Sequence, residues 1–455
     1  VRILVLCCIA ALLWSCQKES FTTDSASRLS LLADTLHFDT VFSTAGSTVR
    51  SFKIFNNNSR GIRIASIRLG GGTASSYLLN VNGAPGFLIR DVEVPAGDSA
   101  YVFVSVNVDS SAVRQPFVVQ DSIEIIYNGN RDVVQLQAFA QNARFMSRRT
   151  ITADETWNNA LPYVVLGELR VAAGATLTIE KGTRIFVHNT APIIVAGSLV
   201  VQGGPDSADR VRFAGSRLDE PYRNHPGSWP GIRFAQGSSG NSLAFTQIKS
   251  AYQGLLLESN AQLAISETII EGAFDAGILS QGGNITGSNL QVSNCGKGMV
   301  LAGGQYQFDH CTIAGYNTRY LLRKEPLVQA GNAFIREGVV HNVPLSATFR
   351  NCIIWGQVQA PEVADEVVLL PNAGGAFSVL FDHVLWKVST VPATATVSNV
   401  WDEDPQFRSV ENGVFDFRLQ PQSPAINKGK PSGINIDLDG KQRPNGIPDL
   451  GAYEE

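Results

Sequence analysis

A short motif recurs at a fixed interval through the middle of this chain. Phe245-Thr246-Gln247-Ile248-Lys249-Ser250 returns as Ile269-Ile270-Glu271-Gly272, then as Leu290-Gln291-Val292-Ser293-Asn294, and then as Cys311-Thr312-Ile313-Ala314-Gly315. The closing residues Ser250, Gly272, Asn294 and Gly315 stand 22, 22 and 21 residues apart. A unit of this length holds three short strands and cannot bury its own apolar face. It gains a core only by stacking on the next copy, about 4.8 Å away. The pattern therefore predicts a right-handed parallel β-helix over residues 147–400. Glycine and asparagine at the unit ends suit the tight corners between its sheets. Earlier units read Tyr163–Val171, Gly174–Ile185 and Ile193–Val201. Phe308–Ile313 and Phe349–Ile354 match closely but lie 41 residues apart, so residues 316–344 are expected to project from one coil as an insertion loop.

Residues 31–146 carry a different texture, short alternating strands between turn residues. Phe52–Phe55 runs into Asn56-Asn57-Asn58-Ser59, and Pro95-Ala96-Gly97-Asp98 introduces Tyr101–Val108. Ile123–Tyr127 and Val133–Ala138 flank Asn128-Gly129-Asn130, which predicts a hairpin. About seven strands at this spacing suit an immunoglobulin-like β-sandwich. The order resembles bacterial domains of the ASPM/SPD-2/hydin type, which implies a spacer or binding module. The fold class expected for the whole chain is thus all-β, a sandwich followed by the β-helix. An irregular segment, 401–455, is read as a cap for the solenoid, whose ends would otherwise expose unpaired strand edges.

The first fifteen residues place one positive charge before an apolar run shorter than the roughly 20 residues needed to span a bilayer. Leu13-Trp14-Ser15-Cys16 then turns polar at Gln17-Lys18-Glu19. This resembles a bacterial lipobox, which implies a signal peptide over 1–15, acylation of Cys16 and a tether over 16–30. Several acyl chains anchor firmly, each buried methylene contributing about 0.8 kcal/mol. The expectation is an outer-membrane lipoprotein, displayed at the surface and held to the membrane by that anchor.

Three further motifs carry a resemblance to the pectin-lyase-like β-helix proteins of the Bacteroidetes: Thr176–Thr183, Gly227–Phe234, and a tail running from Asp404-Pro405-Gln406-Phe407 through Phe417–Gly429 to Asp449–Glu454. The resemblance implies the fold, and a fold hosts many activities. A lyase needs a Lys or Arg base beside a carboxylate cluster, and a hydrolase needs paired carboxylates. The polygalacturonase signatures Asn-Thr-Asp, Asp-Asp, Gly-His-Gly and Arg-Ile-Lys do not occur here. Acidic residues of the regular coils are scattered: Glu258, Glu267, Glu271, Asp275 and Asp309. Asp309-His310 and Asp382-His383 read as corner residues. Arg319, Arg323, Lys324 and Arg336 of the expected loop are candidates for meeting an anionic glycan. Trp229, Trp355, Trp386 and Trp401 suit either sugar stacking or the core.

No cofactor is expected. Asp437-x-Asp439-Gly440 resembles the start of an EF-hand Ca²⁺ loop without its remaining ligands; the family resemblance implies a structural cap instead, with Ca²⁺ binding as the alternative. Cys311 and Cys352 read as small apolar residues on neighbouring coils. Asp followed by Ser or Thr and an apolar residue resembles the O-glycosylation sequon of the Bacteroidetes, which marks Ser25, Thr35, Thr40, Ser99, Ser122 and Ser207. With 36 Lys+Arg against 40 Asp+Glu and no basic stripe, nucleic acid is not expected as a partner. Three functions follow: a non-catalytic envelope lipoprotein whose β-helix binds glycan or a protein partner, a polysaccharide lyase or glycoside hydrolase, and a purely structural envelope component.

Overall fold

The computed structural model describes residues 20–42, 49–109, 117–357, 364–411 and 413–455. The lipidation site read at Cys16 lies outside them. The chain divides into two units, Val1–Asn142 and Ala143–Glu455. The sequence reading set that division after Met146. The difference arises because Arg144–Met146 is already a helix strand, paired in parallel with Tyr163–Val165.

The first unit is a sandwich of a six-stranded and a five-stranded sheet. The expected hairpin is long, Phe117–Tyr127 against Asn130–Gln141, and Tyr127 faces Asn130 across the turn. Both turn residues, Asn128 and Gly129, have positive φ, the twist that a two-residue hairpin requires. The two turns singled out in the sequence meet at one side chain. The buried Asn56 amide reaches the carbonyls of Arg60, Val94 and Pro95 at 2.9, 3.0 and 3.0 Å. The expected tether is in part sheet, since Phe21–Thr22 pairs with Gly61–Ile62 and Ser30–Leu31 with Ile54–Phe55. Phe21 lies over Gly61, where an added Cβ would fall 2.8 Å from its ring, so glycine makes room for this strand.

The second unit is a parallel β-helix of three ladders. One coil shows the order: Asn241–Ala244 in the first ladder, Thr246–Lys249 in the second and Gln253–Leu257 in the third. The next coil repeats it with Gln262–Ser266, Ile269–Glu271 and Ala276–Gln281, each paired in parallel with its predecessor. The sequence period is the coil. Ile248, Ile270, Val292, Ile313 and Ile354 lie in register down the second ladder, all buried. Phe308, Phe349 and Phe381 stack inside the first ladder with centroids 5.3 and 5.1 Å apart. In Leu345–Gly356 and Phe377–Trp386 the first two ladders join in one continuous strand.

Residues 316–344 are not wholly a projecting loop. Val328–Gly331 takes the regular third-ladder place between Lys297–Ala302 and Val367–Leu370. The long interval has two additions around that strand: the segment before it, and a hairpin of Ala333–Arg336 with Val339–Asn342 after it.

The irregular C-terminal segment covers a flank. Phe407, Phe417, Leu419, Leu438, Leu450 and Tyr453 bury the outer face of the second ladder at Ala314, Ile353 and Leu385. In these later coils each side of the second ladder is therefore buried, which is why Ala314 and Ile353 break the alternation of apolar and polar residues expected of a half-exposed strand.

Candidate functional site

The corners between ladders decide what this surface offers. Between the first and second ladders, one residue per coil adopts the left-handed conformation. Phe245, Glu267, Asn289, His310, Asn351 and His383 have φ of 46°, 43°, 49°, 52°, 54° and 58°. Asn tolerates this conformation at little cost, the others less well. The C-terminal segment runs back along this column. Lys430 pairs its backbone with the Asn351 side chain at 2.8 and 2.9 Å, Ser432 meets His310 Nε2 at 3.2 Å, and the Ile436 carbonyl accepts from Asn289 at 2.8 Å. The Leu438 carbonyl accepts from Arg210.

Both Asp-His pairs are these corners. His310 Nε2 accepts from the Asn351 amide at 3.0 Å, and burial, then the Arg443 charge, lower its pKa to about 2. A base held so far below neutrality takes up no proton under physiological conditions. His383 is fixed by Asp382 at 2.8 Å, and Lys430 reaches the same carboxylate at 3.3 Å.

The corner between the second and third ladders is only partly covered: Ser250 and Asn294 are buried, whereas Tyr252 and Phe274 just past it stay half exposed. Beside it lies a cleft of about 360 Å³, with Lys249, Glu271, Asn294, Arg319, Tyr320 and Phe415 among its walls. Glu271 Oε1 accepts from Gln247 at 2.8 Å and lies 3.7 Å from Lys249 Nζ. Arg319 sits 5.6 Å from the Tyr320 ring centre, and His225 packs on that ring at 5.7 Å. A second cleft of about 350 Å³, lined by Trp229, Arg233, Tyr252 and Gln253, lies on the third-ladder side of the same corner. A third, of about 640 Å³, holds Trp355, Lys387, Asp404, Glu411 and Gln420 where the second ladder meets the C-terminal segment.

The four cations named from sequence separate. Arg319 lines the first cleft, and Lys324 is exposed outside the walls of all three. Arg336 leans on Phe334 and donates to Gln281 Oε1 at 3.3 Å. Arg323 is a correction. It is buried, forked onto Glu366 at 2.5 and 2.6 Å and bonded to the carbonyls of Gly315 and Glu325. It closes the added segment onto the coil and presents no charge to a ligand. Among the tryptophans, Trp229 and Trp386 belong to the core, whereas Trp355 and Trp401 are partly exposed.

Asp437 is buried, with Oδ1 accepting from the amides of Asp439 and Lys441 and Oδ2 from that of Glu454. Asp439 pairs with Arg418 at 2.8 Å. Cys295, Cys311 and Cys352 are free, buried thiols. Of the sequon positions, Ser25 and Ser207 are exposed and Thr35, Thr40, Ser99 and Ser122 half-buried.

Sequence reasoning missed Tyr252 and Phe274, which stack at the partly covered corner 5.6 Å apart. Their signal was legible: the two aromatics stand one repeat apart, each just past a unit's closing residue.

No protein-family model matches the chain. No curated protein matches it either. Among solved structures, the catalytic unit of a thermostable GH87 α-1,3-glucanase from Streptomyces thermodiastaticus aligns over 77% of this chain and 89% of that one, at 11% identity and a TM-score of 0.24. A family 123 glycoside hydrolase from Clostridium perfringens aligns over 26% of this chain and 30% of that one, at 8% identity and a TM-score of 0.19. The ASH/PapD-like domain of human CEP192 aligns over 28% of this chain and 92% of that domain, at 8% identity and a TM-score of 0.18. Likenesses this weak carry no argument about activity. The fold rests on the ladders themselves.

Proposed function

We propose that this protein is a cell-envelope lipoprotein, anchored through Cys16, whose β-helix binds glycan without cleaving it. The observation that supports the reading is the cleft beside the partly covered corner. Its walls alternate amide, hydroxyl, cation and ring, with Asn294, Thr318, Arg319 and Tyr320 among them. Such a mixture bonds sugar hydroxyls and packs on sugar C–H faces. Glu271 is the single carboxylate among the cleft's lining residues, and its Oε1 is already engaged by Gln247 and Lys249. Paired-carboxylate hydrolysis needs a second carboxyl group roughly 5–9.5 Å away.

The larger cleft supports an alternative. Asp404 and Glu411 line it together with Lys387, whose Nζ lies 5.9 Å from the Trp355 ring centre. Two carboxylates with a cation and an aromatic wall are the parts of a polysaccharide lyase or hydrolase.

One assay separates the readings: glycan-array binding by the purified protein, with reducing ends monitored on each ligand that binds. Binding without new ends is the expected result, and Arg319→Ala should weaken it. New ends that vanish in Asp404→Asn would transfer the function to the larger cleft. An empty array would leave a protein partner or a structural role.

A further inference from the structure

Tyr252, Phe274 and Gly296 hold the same place in three successive coils. Ala251, Ala273 and Cys295 precede them and Gln253, Asp275 and Lys297 follow. Hydrogen bonds fix the register. Phe274 N donates to Ala251 O at 2.9 Å, Asp275 N to Tyr252 O at 2.9 Å and Gly296 N to Ala273 O at 3.0 Å, whereas Lys297 N donates to Asp275 O at 2.7 Å: Asp275 is an extra residue of its coil, and Gln253 and Lys297 both align with Ala276. The two rings stack at 25°, and each residue stays half exposed, 48% for Tyr252 and 49% for Phe274. At the third position the column of rings stops. A Cβ on Gly296 would fall 2.3 Å from the Phe274 carbonyl oxygen, so the coils approach too closely there for any larger residue. The in-register neighbour on the Gly296 side thus has no side chain to lay over Phe274.

A polar row runs beside this gap. Gln253 Nε2 donates to Asp275 Oδ2 at 2.8 Å and Lys297 Nζ to Asp275 Oδ1 at 2.8 Å. Burial works to raise the Asp275 pKa, and the bonds from Gln253 and Lys297 outweigh it, so this carboxyl stays ionised below its ordinary range. On either side along the chain stand residues of the two clefts: Gly272 and Asn294 of one, Tyr252 and Gln253 of the other.

We propose that the step from Phe274 to Gly296 is a sugar-stacking subsite, in which one pyranose ring of a polysaccharide lies on Phe274 as the third member of the column. A pyranose has an apolar C–H face for the ring and equatorial hydroxyls at its rim. Asp275 accepts from those hydroxyls, and Lys297 and Gln253 donate to them. The coil spacing of about 4.8 Å exceeds a stacking distance only slightly, so a ring inserted above Gly296 continues the column without moving the backbone. The subsite rests on the glycan-binding reading and supplies its specificity for a ring with an unsubstituted C–H face.

The test is calorimetric titration of the purified protein with the strongest glycan from the array. Phe274→Ala should lower affinity about tenfold or more, Phe274→Tyr should hold it within about threefold, and Lys297→Met should give an intermediate loss. Phe274→Leu keeps apolar bulk without the aromatic face and is expected to behave as Phe274→Ala, which covers a misfolded alanine variant. If wild type binds glycan and Phe274→Ala and Phe274→Leu bind it equally well, the subsite is overturned while the glycan-binding reading stands. If wild type binds no glycan, that reading fails and the subsite fails with it.

Discussion

The two corner columns of this β-helix start from the same geometry and end with opposite characters. Both present one left-handed residue per coil at the spacing of the ladders: Asn289, His310 and Asn351 on one, Ser250, Gly272 and Asn294 on the other. The first is roofed by the C-terminal segment, and its polar groups find partners inside the protein. The second leaves Tyr252 and Phe274 half exposed between two clefts. A solenoid repeats its corners, and whether a corner becomes structure or surface is decided by chain from far away in sequence. Stacked rings show the same contrast, since the Phe308–Phe349–Phe381 pile is sealed in the core whereas the Tyr252–Phe274 pile stops at Gly296.

The largest break in the comparison should come from stripping the roof. Arg443 is buried, donating to Glu454 at 2.6 Å, to Asn289 Oδ1 at 2.9 Å and to Gly451 O at 3.1 Å. Arg443→Ala leaves Glu454 unpaired and should cost about 3–5 kcal/mol, read as a lower urea midpoint. Opening the sealed pile with Phe349→Ala should cost a similar amount, about 3–5 kcal/mol, through the cavity it leaves.

Acid probes the roofed column more gently. The His310 pKa, lowered to about 2 in the folded state, stands near 6.5 when unfolded, so below that value the unfolded chain binds the extra proton. Stability should therefore fall as pH drops, by about 2 kcal/mol between pH 7 and pH 5. His310→Asn, which keeps a residue suited to the left-handed corner, should remove most of that slope in urea titrations at the two pH values. Asp309, whose pKa burial raises, has the opposite sign and offsets part of this loss. The partly covered column should show the smallest effect on stability. Phe274→Ala and Arg319→Ala are expected to move the unfolding free energy by no more than about 0.5 kcal/mol, while both weaken glycan binding. A large stability loss in Phe274→Ala would show that the partly covered corner is structural after all.

Much of the fold was legible because repetition is a local signal. The 22-residue spacing of Ile248, Ile270 and Val292 appears in the structure as lateral register. Asn128-Gly129 was legible for a similar reason, since a two-residue turn is written into its own residue types. The 316–344 interval misled because length alone cannot tell a projecting loop from a coil with additions. Val328–Gly331 looks unremarkable until Lys297–Ala302 and Val367–Leu370 flank it. Arg323 misled for a related reason: its partner Glu366 stands 43 residues on, and no local pattern joins them.

What the sequence determined by itself is the period, the strand character and the division into sandwich and solenoid, because strand alternation, corner residues and stacking all act within one or two repeats. The tertiary structure alone decided which corner is covered. That choice depends on Lys430–Leu438 folding back onto residues as distant as Arg210, 228 positions from Leu438. A contact of that range leaves no periodic trace in the chain, and yet it removes one column from solvent, whereas Phe274 on the other corner stays half exposed.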